Sequence, residues 1–210
     1  MPKDTYFFGQ CLYPEPGVKR IFRALKLEPL NYFIYDIEAT CWRHAAKKTP
    51  ETIEIGGVLL DDLGREKSRF HRFVSPKEFP QLSPFCMEMT GIDQEDIDRA
   101  QSFKEVLIDL QAWLNLYGFV SNWMSWGTFD LTQLKNEALK ENLDTGWFPE
   151  HIDLKSQFGK IHGLADPPSV KTALGMLNLK WIGDEHRALS DAENTARIFQ
   201  MLMHKWTFIS

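Results

Sequence analysis

The stretch Phe33–Trp42, FIYDIEATCW, constrains the fold of this chain more than any other. Phe33, Ile34, Tyr35 and Ile37 are the aromatic and β-branched residues of a central strand, and the stretch is read as one. Asp36 and Glu38 interrupt it. Side chains alternate along a strand, so these two acids project from one face, roughly 6–7 Å apart. Two ionised carboxylates held together away from water repel each other, and either a shared proton or a bound cation relieves them. An all-carboxylate site suits a hard divalent ion, magnesium or manganese. Asp-x-Glu pairs also occur by chance on solvated strand ends. Here the acids follow four apolar or aromatic residues rather than a turn signal, which directs attention to further ligands elsewhere.

The 210 residues allow one domain with an extension, and 43% hydrophobic with 13% aromatic content exclude a disordered chain. Cys11, Cys41 and Cys86 form neither an even disulfide framework nor a C-x-x-C pair, which points to reduced thiols in a cytoplasmic protein. No apolar run reaches the ~20 residues of a membrane span, and no signal-peptide pattern opens the chain. A net charge of −5 argues against coating long duplexes, which needs many cationic contacts to phosphate. It leaves open a protein that grips only a nucleic-acid end, where bound metal supplies positive charge.

Residues 1–30 read as an N-terminal extension, with Val18, Ile21, Phe22 and Leu25 at helical spacing on a helix laid against its own domain, and 31–210 as that domain. Ile53 and Ile55 begin a second strand. Val58 and Leu60 change its phase, so a bulge is expected at Gly56 and Gly57, with Glu54 turned away from the core. DDLGRE, residues 61–66, reads as a hairpin turn that accounts for Asp61 and Asp62 and leads to a strand through Phe70, Phe73 and Val74. Ser83, Pro84 and Gly91 mark the cap, first position and stop of a short helix. Phe103, Val106, Leu107, Leu110 and Leu114 define an amphipathic helix that ends by Gly118. FVSNWMSWGTFD reads as a strand running through Gly127 into a helix from Phe129, with Asp130 at the junction, where a capping role competes with a functional one. Residues 151–154 predict a short last strand, with Asp153 structural. Ser190 to Glu193 reads as a capping box that puts Asp191 at the first helical position, followed by Ala192, Ala196, Phe199 and Met203. His186 precedes it in a loop beside Gly183. A histidine whose ordinary pKa is about 6.5 suits a general base if acids surround it.

These elements describe an α/β domain with a mixed sheet. Asp36-x-Glu38-x-Thr40, then Asp130, then His186 with Asp191 five residues on, resemble the DEDD-type 3′ to 5′ exonucleases of the histidine branch, over residues 31 to about 205. EATCW, LSPFCMEMTGI at 82–92 and TFD around Asp130 are similar, more narrowly, to exonucleases that trim histone messenger and small interfering RNAs and to bacterial KapD-like proteins. Some animal relatives carry a SAP-type RNA-binding domain that nothing here resembles.

The resemblance implies an RNase H-like fold, a mixed five-stranded sheet flanked by helices. It implies hydrolysis from the 3′ end of single-stranded RNA or short RNA overhangs, releasing nucleoside 5′-monophosphates. Asp36, Glu38, Asp130 and Asp191 would hold two Mg2+ or Mn2+ ions, with Glu38 and His186 as catalytic groups and His186 taking the proton from water. Ala39, Thr40, Trp42, Met89 and Phe129 would contact the terminal nucleotide; core packing is the competing account of Trp42, Met89 and Phe129. The implied partner is nucleic acid with a free 3′ end, RNA favoured, and no membrane. The alternatives are a DNA 3′ exonuclease, an internally cutting nuclease, and a KapD-like binding protein that retains the fold.

Overall fold

The β-branched and aromatic run forms β1 (Asn31–Ala39) at the middle of a six-stranded sheet in the order β4-β3-β2-β1-β5-β6. The computed structural model describes residues 30–44, 48–118 and 120–208, so the helix expected over Val18 to Leu25 lies outside them. β2 (Thr52–Leu60) and β3 (Glu66–Ser75) form the antiparallel half through the DDLGRE hairpin. β5 (Val120–Ser125) and β6 (Glu150–Asp153) run parallel to β1 and to each other. The sixth strand, absent from the five-stranded expectation, is β4 (Gln101–Ser102), too short to carry a hydrophobic pattern, at the edge beside β3.

Helices cover both faces. On one, Phe33, Tyr35 and Ile37 of β1 pack with Ile55 and Leu59 against α3 (Phe103–Asn115) and α4 (Phe129–Lys140), through Val106, Leu110 and Leu134. On the other, Tyr32, Ile34, Val58 and Leu60 meet α5 (Leu154–His162), α6 (Val170–Met176) and α7 (Ala188–Met201). Two shorter helices, α1 (Pro84–Thr90) and α2 (Gln94–Asp98), surround Ile53 in a third cluster with Cys86 and Ile97. α1 follows its sequence signals: Ser83 accepts from the Cys86 N–H, Pro84 opens the helix and Gly91 closes it at φ 65°.

Three sequence expectations are corrected. No bulge forms at Gly56 and Gly57, which pair in unbroken register with Asp36 and Tyr35; the register breaks instead at Glu38/Ala39 and Leu59/Leu60. β2 is buried on both faces, so its apolar residues need no phase change to reach a core. Its glycines answer close approach. A Cβ on Gly56 would lie 2.2 Å from the Leu189 nitrogen, and one on Gly57 2.3 Å from the Phe33 ring. For the same reason Glu54 does not turn toward solvent: it is fully buried on the α7 side. The capping box at Ser190 does not form either. α7 starts at Ala188, Asp191 is its fourth residue, and Glu193 pairs with Arg69.

Candidate active site

Pairing between β1 and β5 ends at Ile34↔Met124, so the two strands part before the acids of β1 are reached. The β1 amides beyond that point need other partners. Ile37 N–H finds one in Asp130 Oδ1 at 3.3 Å, which draws the first turn of α4 onto the carboxyl end of β1. Asp36 and Glu38 lie on the α7 face of the strand, sharing it with Tyr32 and Ile34. From the far side, one ligand atom each of Glu38, His186 and Asp191 lies within 4.8 Å of the others. Glu38, His186 and Asp191 thus form one close group, and Asp36 and Asp130 lie near enough for their charges to act on it, where the sheet changes from antiparallel to parallel.

The electrostatics separate these acids from other buried ones. Glu51 accepts hydrogen bonds from the amides of Lys77, Glu78 and Phe79, and Glu137 from Thr52 and Gln133. Among the described residues, no lysine or arginine forms an ion pair with Asp36, Glu38, Asp130 or Asp191. Burial, followed by the charges of Asp130, Asp191, Glu38 and Glu54, pushes Asp36 well above the usual carboxylate range. Burial and then Asp191 push Glu38 up to about 8. Asp191 rises to about 7 through burial, despite donation from the His186 and Arg187 amides. Asp130 is also raised by burial, against the opposing hydrogen bonds from Ser125 and Ile37. Such a cluster is either partly protonated or neutralised by a cation. Its hard oxygen donors, with one imidazole at the rim, suit divalent metal.

The residues expected to hold the terminal nucleotide are placed differently from one another. Ala39 ends β1. Thr40 is buried, its Oγ1 accepting from the Glu51 amide and its own amide donating to Glu51 O, so it braces the exit of β1. Trp42 is half-buried, edge-on to Phe79 at 4.9 Å, with Lys48 Nζ 4.6 Å above its ring. Met89 is 42% exposed on α1 and Phe129 is 56% exposed at the start of α4, so core packing accounts for neither.

Residues 33–199 match the RNase T exonuclease family. The chain belongs to that family. It is 34% identical over 197 residues to ERI1 exoribonuclease 2 of Danio rerio, an alignment covering 81% of this chain and 34% of that protein. It is 30% identical over 184 residues to human ERI1 exoribonuclease 3, covering 83% of this chain and 54% of that one. The chain thus spans about a third to a half of these relatives. Among solved structures, the nuclease domain of 3′hExo, a DEDDh family member bound to rAMP, matches with a TM-score of 0.77 at 27% identity, covering 83% of this chain and 92% of that domain. A 3′-exonuclease that recognises the histone mRNA stem-loop matches with a TM-score of 0.75 at 26% identity, covering 83% and 81%. The fold is thus RNase H-like, as the sequence resemblance implied.

The sequence pattern assigns no role to Glu51, Glu137 or Arg187, and turns Glu54 away from the core. The pattern IEIGGVLL carried one usable signal: a near-continuous apolar run marks a strand buried on both faces, where an acid must find a partner.

Proposed function

We propose that this exonuclease-family chain hydrolyses RNA from its 3′ end, one nucleotide at a time, using two divalent ions, with 31–210 as the catalytic domain. The observation that supports the reading is the mutual electrostatic influence of Asp36, Glu38, Asp130 and Asp191 around the carboxyl end of β1, with no lysine or arginine ion-paired to any of them among the described residues. Asp36, Glu38, Asp130 and Asp191 are the residues that would hold Mg2+ or Mn2+. When bound, those ions supply positive charge at the scissile phosphate and make water a better nucleophile. The preference for RNA is supported by the relatives' names as exoribonucleases and by the ribonucleotide bound to 3′hExo.

This chain's own residues then have distinct tasks. His186 is exposed at the rim beside Glu38 and Asp191, where it can take the proton from the attacking water. As the water oxygen bonds to phosphorus, the bond to the leaving 3′ oxygen breaks and a nucleoside 5′-monophosphate departs. Met89 and Phe129 offer exposed apolar surface for the terminal base and sugar, Trp42 offers a ring face shared with Lys48, and Ala39 and Thr40 shape the end of β1. Stacking of this kind tolerates any base. A cytoplasmic location accords with the two described cysteines being free thiols.

The test is a 5′-labelled oligonucleotide offered as RNA and as DNA, with Mg2+, Mn2+ or EDTA. The expected result is a descending ladder on RNA that needs metal and is lost in Asp191→Ala. Equal cutting of DNA would replace the sugar preference, since only RNA offers the 2′-hydroxyl. Cleavage of a circular RNA would overturn end-directed hydrolysis, and full activity of Asp191→Ala would overturn the site.

A further inference from the structure

Glu54 has no place in the ligand set, yet its carboxylate is among the most heavily bonded in the molecule. It stands opposite Glu38 in the β1/β2 register and is fully buried. Arg187 Nε and Nη2 reach Glu54 Oε1 at 3.2 and 3.0 Å, the Ala188 amide donates to Oε2 at 2.9 Å, and His71 Nε2 lies 2.6 Å from Oε1. Burial acts to raise its pKa, but the bonds from His71, Arg187 and Ala188 outweigh that and hold it below the ordinary value. Its lone pairs are taken, so it is not a spare metal ligand.

Two of those contacts go to the two residues that directly follow His186. We propose that Glu54 is a positioning residue for His186, acting through Arg187 and Ala188; this rests on reading His186 as the general base. Three observations support it. His186 has φ 60°, a left-handed backbone unusual for a side chain with a Cβ, and it forms the corner between the preceding loop and α7. Gly56 lies two residues along β2 from Glu54, on the same face. The space its side chain would need is filled by the backbone of Ala188 and Leu189, so the start of α7 is pressed onto β2 where Glu54 grips it. On the other side of His186 the loop is tied to α7 four residues away, where buried Asn194 bonds the backbone of Ile182, while next to His186 the Lys171–Glu185 pair lies between largely exposed side chains, too weak an anchor to set a ring's position.

The experiment compares Glu54→Gln, Arg187→Gln and Arg187→Lys, each alone and combined with His186→Ala, together with amide hydrogen exchange over residues 184–189 in the metal-free protein. Glu54→Gln and Arg187→Gln are expected to lower kcat by ~10–100-fold while KM stays within ~2-fold, the scale of a misplaced catalytic group. Arg187→Lys restores part of the loss. The residual rate of the glutamine variants keeps climbing at alkaline pH, where hydroxide replaces the general base. Exchange at Ala188 quickens in Glu54→Gln. In the His186→Ala background the same substitutions cost less than ~2-fold, because they act through a ring no longer there. Full multiplicative loss in that background, or unchanged exchange at Ala188, overturns the proposal. If Glu54→Gln does not fold, the partly exposed Arg187→Gln carries the same comparison. An inactive wild type would instead remove the catalytic reading, and hydrogen exchange alone would then decide the clamp.

Discussion

Asp36 and Glu38 differ from Glu51, Glu54 and Glu137 in their surroundings rather than in their chemistry. The second group is met by amides, hydroxyls or a guanidinium, whereas the first faces other carboxylates. An amide at Asp36 removes one of the repelling charges, so metal-free Asp36→Asn is expected to be more stable than metal-free wild type at pH 8. For a chain of this size, each kcal/mol gained raises Tm by about 2–4 °C. The same variant should lose nearly all activity and most of its thermal gain from Mn2+. Calorimetry with and without Mn2+ checks both halves. A metal-free Asp36→Asn that melts below wild type would show that Asp36 supports the fold instead of straining it.

At the scale of elements, the decisive contact is that between β2 and the start of α7. Gly56 permits it: an alanine there would put its Cβ within 2.5 Å of backbone atoms of Ala188 and Leu189. Backbone cannot rotate out of the way as a side chain can. Gly56→Ala is therefore expected to cost at least about 3 kcal/mol, the upper end of ordinary overpacking. It should also weaken the response to Mn2+, because lifting α7 carries Asp191 and His186 away from β1. Ser102→Ala offers a contrast. It removes the capping box in which the Ser102 hydroxyl and the Glu105 carboxylate serve each other's amides at the head of α3, at a cost of about 1 kcal/mol. Its kcat should be unchanged, since α3 supplies nothing to the site. Chemical denaturation and a rate measurement on the two variants separate the cases.

For the whole molecule, the raised acids couple stability to pH and to metal. The folded protein holds protons on Glu38 up to about 8 and on Asp191 up to about 7, whereas the unfolded chain releases them near the ordinary carboxylate value. A raised carboxyl pKa means that the folded state binds more protons across this window, so metal-free stability falls as pH rises from about 5 to 8. Glu54 has the opposite sign, being lowered, and its contribution is lost in acid. Divalent ions bind the deprotonated form, so the Tm gain at a fixed Mn2+ concentration should grow over the same interval. A gain independent of pH would mean that these acids are not the ligands.

The sequence by itself places two acids on a buried strand, caps α1 at Ser83, draws the stripe of α3 and puts Asp130 at the strand-to-helix junction. These are local properties, because period, cap and turn chemistry depend on neighbours only a few residues away. The side on which Glu54 lies, the true start of α7 and the reason for two adjacent glycines could not be read the same way. Alternation identifies the inner face of a strand only when the other face meets water, and β2 has helices on both sides. Partners such as Arg187 for Glu54, 133 residues apart, exist only once the sheet is assembled and α7 is laid across it. Sequence decided which side chains could do chemistry; packing between distant segments decided which of them face one another.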